Sequence, residues 1–186
     1  MKQIKKMLAL LLVLVLMLTM TSCGSVGKWI ARSTNTEVPV GAYLIYESVY
    51  YQYATYYVKD YTKSPLNQDI TTGEGDEKVT MKGSAWIKQQ ALDVITNAIT
   101  VYEECARLGI KLTEAEKDII LDDAATTWEN NSDAYKVIGV GQQSLEYMYT
   151  YNKLHEKLFD AIYGEKGTKP VKEEDLKKHV VEKYDS

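Results

Sequence analysis

The sequence is poor in several residue types on which common protein functions depend. It has two cysteines, two histidines, three prolines and one phenylalanine among 186 residues. Two cysteines cannot build a disulfide framework. His155 and His179 lie in charged stretches that match none of the usual zinc spacings. Glycine-rich phosphate loops and nucleophile motifs are also missing from the sequence. We therefore predict no catalytic residue, no metal site, no cofactor and no enzymatic activity.

Long apolar runs are absent too, except near the start of the chain. Three lysines precede an uncharged apolar segment, 7–20, which is followed by Thr21, Ser22 and Cys23. The segment is shorter than the roughly 20 apolar residues that a membrane-spanning helix needs. A cleaved export signal over residues 1–22 is therefore the better interpretation. Small residues before a cysteine are typical of a bacterial lipobox, so Cys23 is the predicted lipidation site.

Lipidation would tether the remaining chain to the outer face of a membrane, and several acyl chains are needed for stable attachment. An ordinary secretory peptide or an uncleaved anchor, either of which leaves Cys23 unmodified, stays open as an alternative. Removing residues 1–22 lowers the basic count from 22 to 19 against 26 acids, so the net charge moves from −4 to −7. This acidic balance argues against nucleic acid as a partner, because binding nucleic acid requires basic patches.

The rest of the chain has helical periodicity, and we find no convincing run of alternating strand residues. We expect one all-α domain, a bundle of about four to five helices, over residues 39–186, preceded by a tether over residues 23–38. The first predicted helix covers 40–61, and the second has a buried apolar seam and ends at Gly109. The third runs from Thr113 to about Glu129, and Ser144 is expected to cap the fourth. A fifth, short and highly charged, is expected over 172–184.

Three further expectations concern how these helices begin and end. Thr113 and Glu116 have the spacing of a capping box. The polar run 130–133 is predicted to stop the third helix, and residues 62–80 are predicted to form a polar loop. The fourth helix is expected to end at Gly164 or Gly167.

Tyrosine is the abundant aromatic residue, with 15 copies in the chain. Five of them recur at alternating steps of three and four, which places their rings along one stripe of the first helix: Tyr43, Tyr46, Tyr50, Tyr53 and Tyr57. Exposed apolar surface on a domain of this kind usually marks a binding site. We therefore name these five as candidate residues for binding polypeptide clients. The alternative is that the rings fill gaps between the helices.

The order of these features resembles the N-terminal chaperone region of the PrsA and SurA family of extracytoplasmic foldases. The resemblance covers most of residues 36–184, and its motifs mark helix boundaries: VPVGAY at 38–43, AWIKQQA at 85–91, LGIKLT at 108–113, YGE at 163–165 and KPVKEEDL at 169–176. It implies a SurA-like helical module that holds unfolded exported polypeptides, lipid-anchored on the extracytoplasmic face of a Gram-positive type of cell membrane.

The sequence departs from that family at one point. In complete members a parvulin-type prolyl isomerase domain follows, whereas this chain ends at Ser186, about where that domain would start. Three functions are therefore considered. The first is a chaperone-like lipoprotein that binds non-native secreted chains. The others are an adaptor lipoprotein that binds one folded envelope partner, and a truncated prolyl isomerase.

Overall fold

Helices dominate the computed structural model, which describes residues 28–171 and residue 174. Its elements are β1 (Trp29–Arg32), β2 (Glu37–Pro39), α1 (Val40–Tyr57), β3 (Asp69–Thr72), β4 (Val79–Lys82), α2 (Gly83–Leu108), α3 (Glu114–Val137) and α4 (Gln142–Tyr163). The predicted all-helical bundle class is confirmed, with four α-helices in this part of the chain. The export signal, Cys23 and the helix predicted over 172–184 lie outside the described residues.

Two helix boundaries have the local structure that the sequence predicts. Gly109 follows α2 with a φ of 70°, a left-handed conformation that glycine adopts without strain. Thr113 caps α3 through the predicted capping box. The amide of Glu116 donates to the Thr113 hydroxyl at 3.2 Å, and the Thr113 amide donates to Oε2 of Glu116 at 2.7 Å.

The predicted end of α3 was wrong, because the helix continues through residues 130–133 to Val137. Two local contacts outweigh the low helix propensity of this polar run. The Asn131 side-chain amide donates to the carbonyl oxygen of Thr127 at 3.0 Å, within the helix. The rings of Trp128 and Tyr135 lie 6.2 Å apart and nearly parallel, which holds the last two turns together.

Two other helix ends also differ from the prediction. Helix α1 ends at Tyr57 rather than near Tyr61, because the extended Val58 is drawn into the core and is 3% exposed. Ser144 does not cap α4; Gly141 occupies the cap position and Ser144 lies inside the first turn. The buried Ser144 side chain instead faces Gly41 of α1. Gly164 directly follows α4, so the first of the two predicted ends of this helix is confirmed.

Two short antiparallel hairpins were missed by the sequence analysis. Strands β1 and β2 pair within the segment predicted to be a tether, and Ala31 and Val38 of this hairpin are buried in the core. Strand β3 and the first half of β4 lie in the predicted polar loop, and β4 continues two residues beyond it. Ile70, fully buried, fixes this second hairpin to the domain. In both hairpins the strands are three or four residues long, too short for a clear alternating pattern.

The core consists of three clusters of apolar side chains, and α1 contributes to all of them. The largest lies between α1, α2, α4 and the first hairpin. A second joins the end of α1 to the start of α2 and the second hairpin, and a third joins the middle of α1 to α3 and α4. The predicted seam of α2 is buried apart from the partly buried Val94 and the exposed Leu108. Ile87 belongs to the second cluster, and Ala98, Val101 and Cys105 belong to the first.

The first prediction concerns Gly83, where the second hairpin meets α2. A methyl group at this position would overlap the backbone carbonyl oxygen of Pro65, and backbone cannot move aside easily. Gly83→Ala should therefore lower the free energy of unfolding by roughly 1–3 kcal/mol in denaturant titrations. The neighbouring Ser84→Ala, at an exposed position, is the control. An equal loss of stability in both variants would contradict this packing.

The second prediction concerns the ion pair between α3 and α4. Lys157 Nζ lies 2.8 Å from Oε2 of Glu116, and this contact, together with the bonds from Thr113, lowers the pKa of Glu116 to about 2. A carboxyl whose folded pKa is depressed stabilises the fold above its unfolded pKa, and this contribution is lost as pH falls through about 4.5 to about 2.

Glu116→Gln should consequently lower the melting temperature at pH 7 and flatten its decline between about pH 4.5 and 2. Glu114→Gln is the matched control, since Glu114 pairs with Lys117 at 2.7 Å but is largely exposed. Surface pairs of that kind contribute little. An unchanged pH profile in Glu116→Gln would show that this ion pair does not couple to folding.

Candidate functional site

The five tyrosines of the predicted stripe separate into packed and exposed rings. Tyr43 and Tyr46 pack against the largest core cluster, and Tyr50 packs against the second. Tyr53 and Tyr57 are each 52% exposed. The prediction that all five share one role is therefore not supported by their positions: three fill gaps between elements, and two present their rings to solvent.

The packed rings at the start of α1 have the electrostatics of structural residues. The Tyr43 hydroxyl donates to Oε1 of Glu47 at 3.0 Å. Burial, followed by this hydrogen bond, raises the pKa of Tyr43 to about 12. Burial raises the pKa of Tyr46 further, with the neighbouring Tyr151 and Tyr147 adding to the effect. Both phenols are therefore uncharged at physiological pH and hold α1 against its neighbours.

The second half of α1 carries a contiguous exposed face of aromatic and apolar side chains. We call this the tyrosine surface: Val49, Tyr53, Tyr56 and Tyr57, at positions i, i+4, i+7 and i+8 of the helix. Tyr56 is its most exposed member, at 79%. Tyr51 and Tyr61 are also exposed, on another side of the helix and beyond its end. The surface contains no Asp, Glu, Lys or Arg.

Trp86 at the start of α2 supports the tyrosine surface from below. It is 6% exposed, and its ring lies 5.4 Å from Tyr57 and 5.9 Å from Tyr50, the latter edge to face. Tyr50 in turn lies 5.8 Å from Tyr53. Tilted and edge-to-face aromatic contacts at such distances are favourable. The two exposed rings therefore rest on a fixed aromatic base, which limits the conformational entropy they lose when something binds.

The sequence analysis missed Val49, Tyr56 and Trp86 as members of this region. The signal for Val49 was present, since positions 49, 53, 56 and 57 already share one helical face in the sequence. In the sequence, Trp86 is recognisable only as a residue of the motif that begins the second predicted helix. Its proximity to Tyr57 depends on the antiparallel packing of α1 and α2, which no local pattern reports.

The remaining titratable groups form no second candidate site among the described residues. In the part of the chain that the structure covers, no group of three or more His, Cys, Asp or Glu side chains is placed to hold a metal ion. His155 is exposed beside the Tyr151 ring, at 6.0 Å, and His179 lies outside the described residues. Cys105 is buried, its Sγ lies 3.6 Å from the carbonyl oxygen of Leu154, and burial raises the pKa of its thiol.

None of the helices within residues 28–171 is long and apolar enough to cross a membrane. Compared with protein-family models, with curated proteins and with solved structures, the chain matches none of them.

The third prediction separates packed from exposed rings on α1. Tyr50→Ala removes a ring that packs on Trp86 and should lower the free energy of unfolding by roughly 1–3 kcal/mol, since large-to-small changes in partly buried sites lose apolar burial. Tyr53→Ala should stay within about 0.5 kcal/mol of the wild type. Chemical denaturation of both variants measures the difference. Equal losses would mean that the two rings are equally packed.

Proposed function

We propose that this protein is a lipid-anchored extracytoplasmic module of the chaperone or foldase type, without enzymatic activity, that binds non-native secreted polypeptides. The observation that carries the proposal is the tyrosine surface. Three tyrosines and a valine, all uncharged, lie exposed on one helical face instead of being covered by the fold. Contiguous exposed apolar surface of this kind is uncommon on monomeric domains unless it binds something.

Tyrosine is suited to partners of variable sequence. Each ring offers a large apolar area with few rotatable bonds, and the hydroxyl end tolerates water or a hydrogen bond to backbone. The base formed by Trp86 and Tyr50 orders Tyr53 and Tyr57 before binding, so less entropy is lost on contact. Such a surface favours weak binding to many apolar segments, because it contains no charged group that would select one partner.

The place of action is proposed from the sequence. The export signal and the cysteine at position 23 favour a protein held on the outer face of a membrane, where newly exported chains emerge unfolded. The resemblance to the PrsA and SurA family favours the same role on a Gram-positive type of cell. The acidic balance of the chain disfavours nucleic acid as a partner.

The fourth prediction tests the tyrosine surface by suppression of client aggregation. A chemically denatured model protein is diluted into buffer with or without an excess of this protein, and light scattering is followed. The wild type should slow aggregation. The double variant Tyr53→Ala with Tyr56→Ala, which leaves the Tyr57–Trp86 contact in place, should lose most of this effect at an unchanged melting temperature, since aromatic anchors of an interface carry most of its binding energy.

Phe159→Ala supplies the matched control for that experiment. Phe159 is 53% exposed, nearly the same as Tyr53, but it lies near the end of α4 and contacts Tyr163 rather than Trp86. Its replacement should leave the suppression of aggregation intact. Equal loss in both variants would point to general stickiness. No effect of the wild type, combined with saturable binding to one folded envelope protein, would favour the adaptor function instead.

A further inference from the structure

The domain begins very close to the proposed anchor, and this limits which of its surfaces face the membrane. This inference rests on the lipidated Cys23 of the proposed function. Four residues, 24–27, separate Cys23 from Lys28, the first described residue. A fully extended chain spans at most roughly 3.6 Å per residue, so Lys28 lies within about 18 Å of the acylated cysteine. The part of the fold around Lys28 is therefore held beside the lipid headgroups.

A concavity of about 750 Å³ lies at this end, between the start of α1 and the start of α4. Lys28 is the one charged residue in its lining, which includes Leu44 and Ser144 and contains no Asp or Glu. An acid-free lining is notable in a chain with 26 acidic residues; Glu37 on β2 and Glu103, which accepts from Asn35 in the hairpin turn, lie outside it. The first turns of two helices also open toward this concavity, and helix starts carry partial positive charge. The local charge therefore complements an anionic surface.

Strand β1 adds residues of the kind found at membrane interfaces. The Arg32 guanidinium lies 4.7 Å from the centre of the Trp29 ring. Arg32 and Glu37 are 3.8 Å apart and both side chains are more than half exposed, so the pair is weak, and because the two charges balance, Lys28 supplies the net positive charge beside the hairpin. Tryptophan and basic side chains are enriched where proteins meet lipid headgroups.

We propose that the end of the bundle formed by the β1–β2 hairpin and the starts of α1 and α4 rests on anionic lipid headgroups, with Lys28 in contact with lipid phosphate. Helix α1 has 18 residues and starts at this end. At 1.5 Å per residue it is about 27 Å long. The tyrosine surface lies on its second half, so the same contact directs that surface away from the bilayer and toward emerging chains.

The fifth prediction tests this orientation with the acylated protein in vesicles that contain brominated lipids, which quench nearby tryptophan fluorescence. Trp128, the third tryptophan, packs in the same cluster as Leu44 of the concavity, so the test starts from Trp128→Phe. In that background quenching should be strong, largely lost when Trp29→Phe is added and retained when Trp86→Phe is added, because Trp86 lies at the far end of α1. It should be at least about twofold stronger in phosphatidylglycerol vesicles than in phosphatidylcholine vesicles. Lys28→Glu should remove the difference in quenching between the two kinds of vesicle. Lys88→Glu should not, because Lys88 is exposed on α2 near Trp86.

Three results would overturn the inference. Trp86 quenched as strongly as Trp29 would mean a different orientation. Equal quenching in both kinds of vesicle, unchanged by Lys28→Glu, would remove the role of charge. Gly41 lines the concavity, so its amide resonance reports what binds there. If inorganic phosphate shifts that resonance while the protein shows no preference for anionic vesicles, the ligand is a free ion rather than a lipid. Intact mass spectrometry distinguishes the failures: unacylated Cys23 overturns the anchor and the orientation together, whereas acylated protein with any of these results overturns the orientation alone.

Discussion

The apolar face of α2 is the contact on which the rest of the structure depends. It packs against α1 and against α4, and it contributes buried residues to two of the three core clusters. Ala91 and Ala98 have no exposed surface, and such small side chains let neighbouring helices approach closely. Cys105 near the end of the same face reaches the backbone of α4. A larger residue at any of these positions would force the helices apart, because protein cores have little free volume.

This arrangement explains why one half of α1 is available for binding. At its start, α1 is covered by the first hairpin and α4, where Gly41 permits close contact with Ser144. Toward its end, α1 is covered by the start of α2, the second hairpin and the short turn Pro65–Asn67. Ala54 and Val58 are buried there, whereas Tyr53, Tyr56 and Tyr57 on the neighbouring face of the helix stay exposed. Binding surface and core are thus two faces of one helix, fixed to each other through Trp86.

Much of the fold was predictable because its signals are local. The four helices, the seam of α2, the left-handed Gly109 and the capping box of Thr113 all depend on residues within a few positions of each other. The hairpins were not predictable in this way. Strands of three or four residues show too little alternation, and Ala31, Val38 and Ile70 become core residues only once the helices bury them. The same applies to α3, where the Trp128–Tyr135 contact overrides a polar run.

The candidate site was predictable in part. The tyrosine periodicity drew attention to α1, but spacing alone could not separate Tyr43, partly buried against the largest core cluster, from Tyr53, which is 52% exposed. That distinction depends on where neighbouring elements end, which is a tertiary property. The support from Trp86 is tertiary as well. By contrast, the lipidation signal at Cys23 is entirely local in sequence, and it stays a prediction.

The central claim is that the exposed half of α1 binds non-native polypeptide. Hydrogen exchange on this protein, measured with and without a permanently unfolded polypeptide, tests it most directly. Our account predicts added protection in residues 49–61 and none in residues 155–163, where Phe159 and Tyr163 are also exposed. Added protection spread evenly over the helices, confined to α3 and α4, or absent at saturating polypeptide would contradict the account.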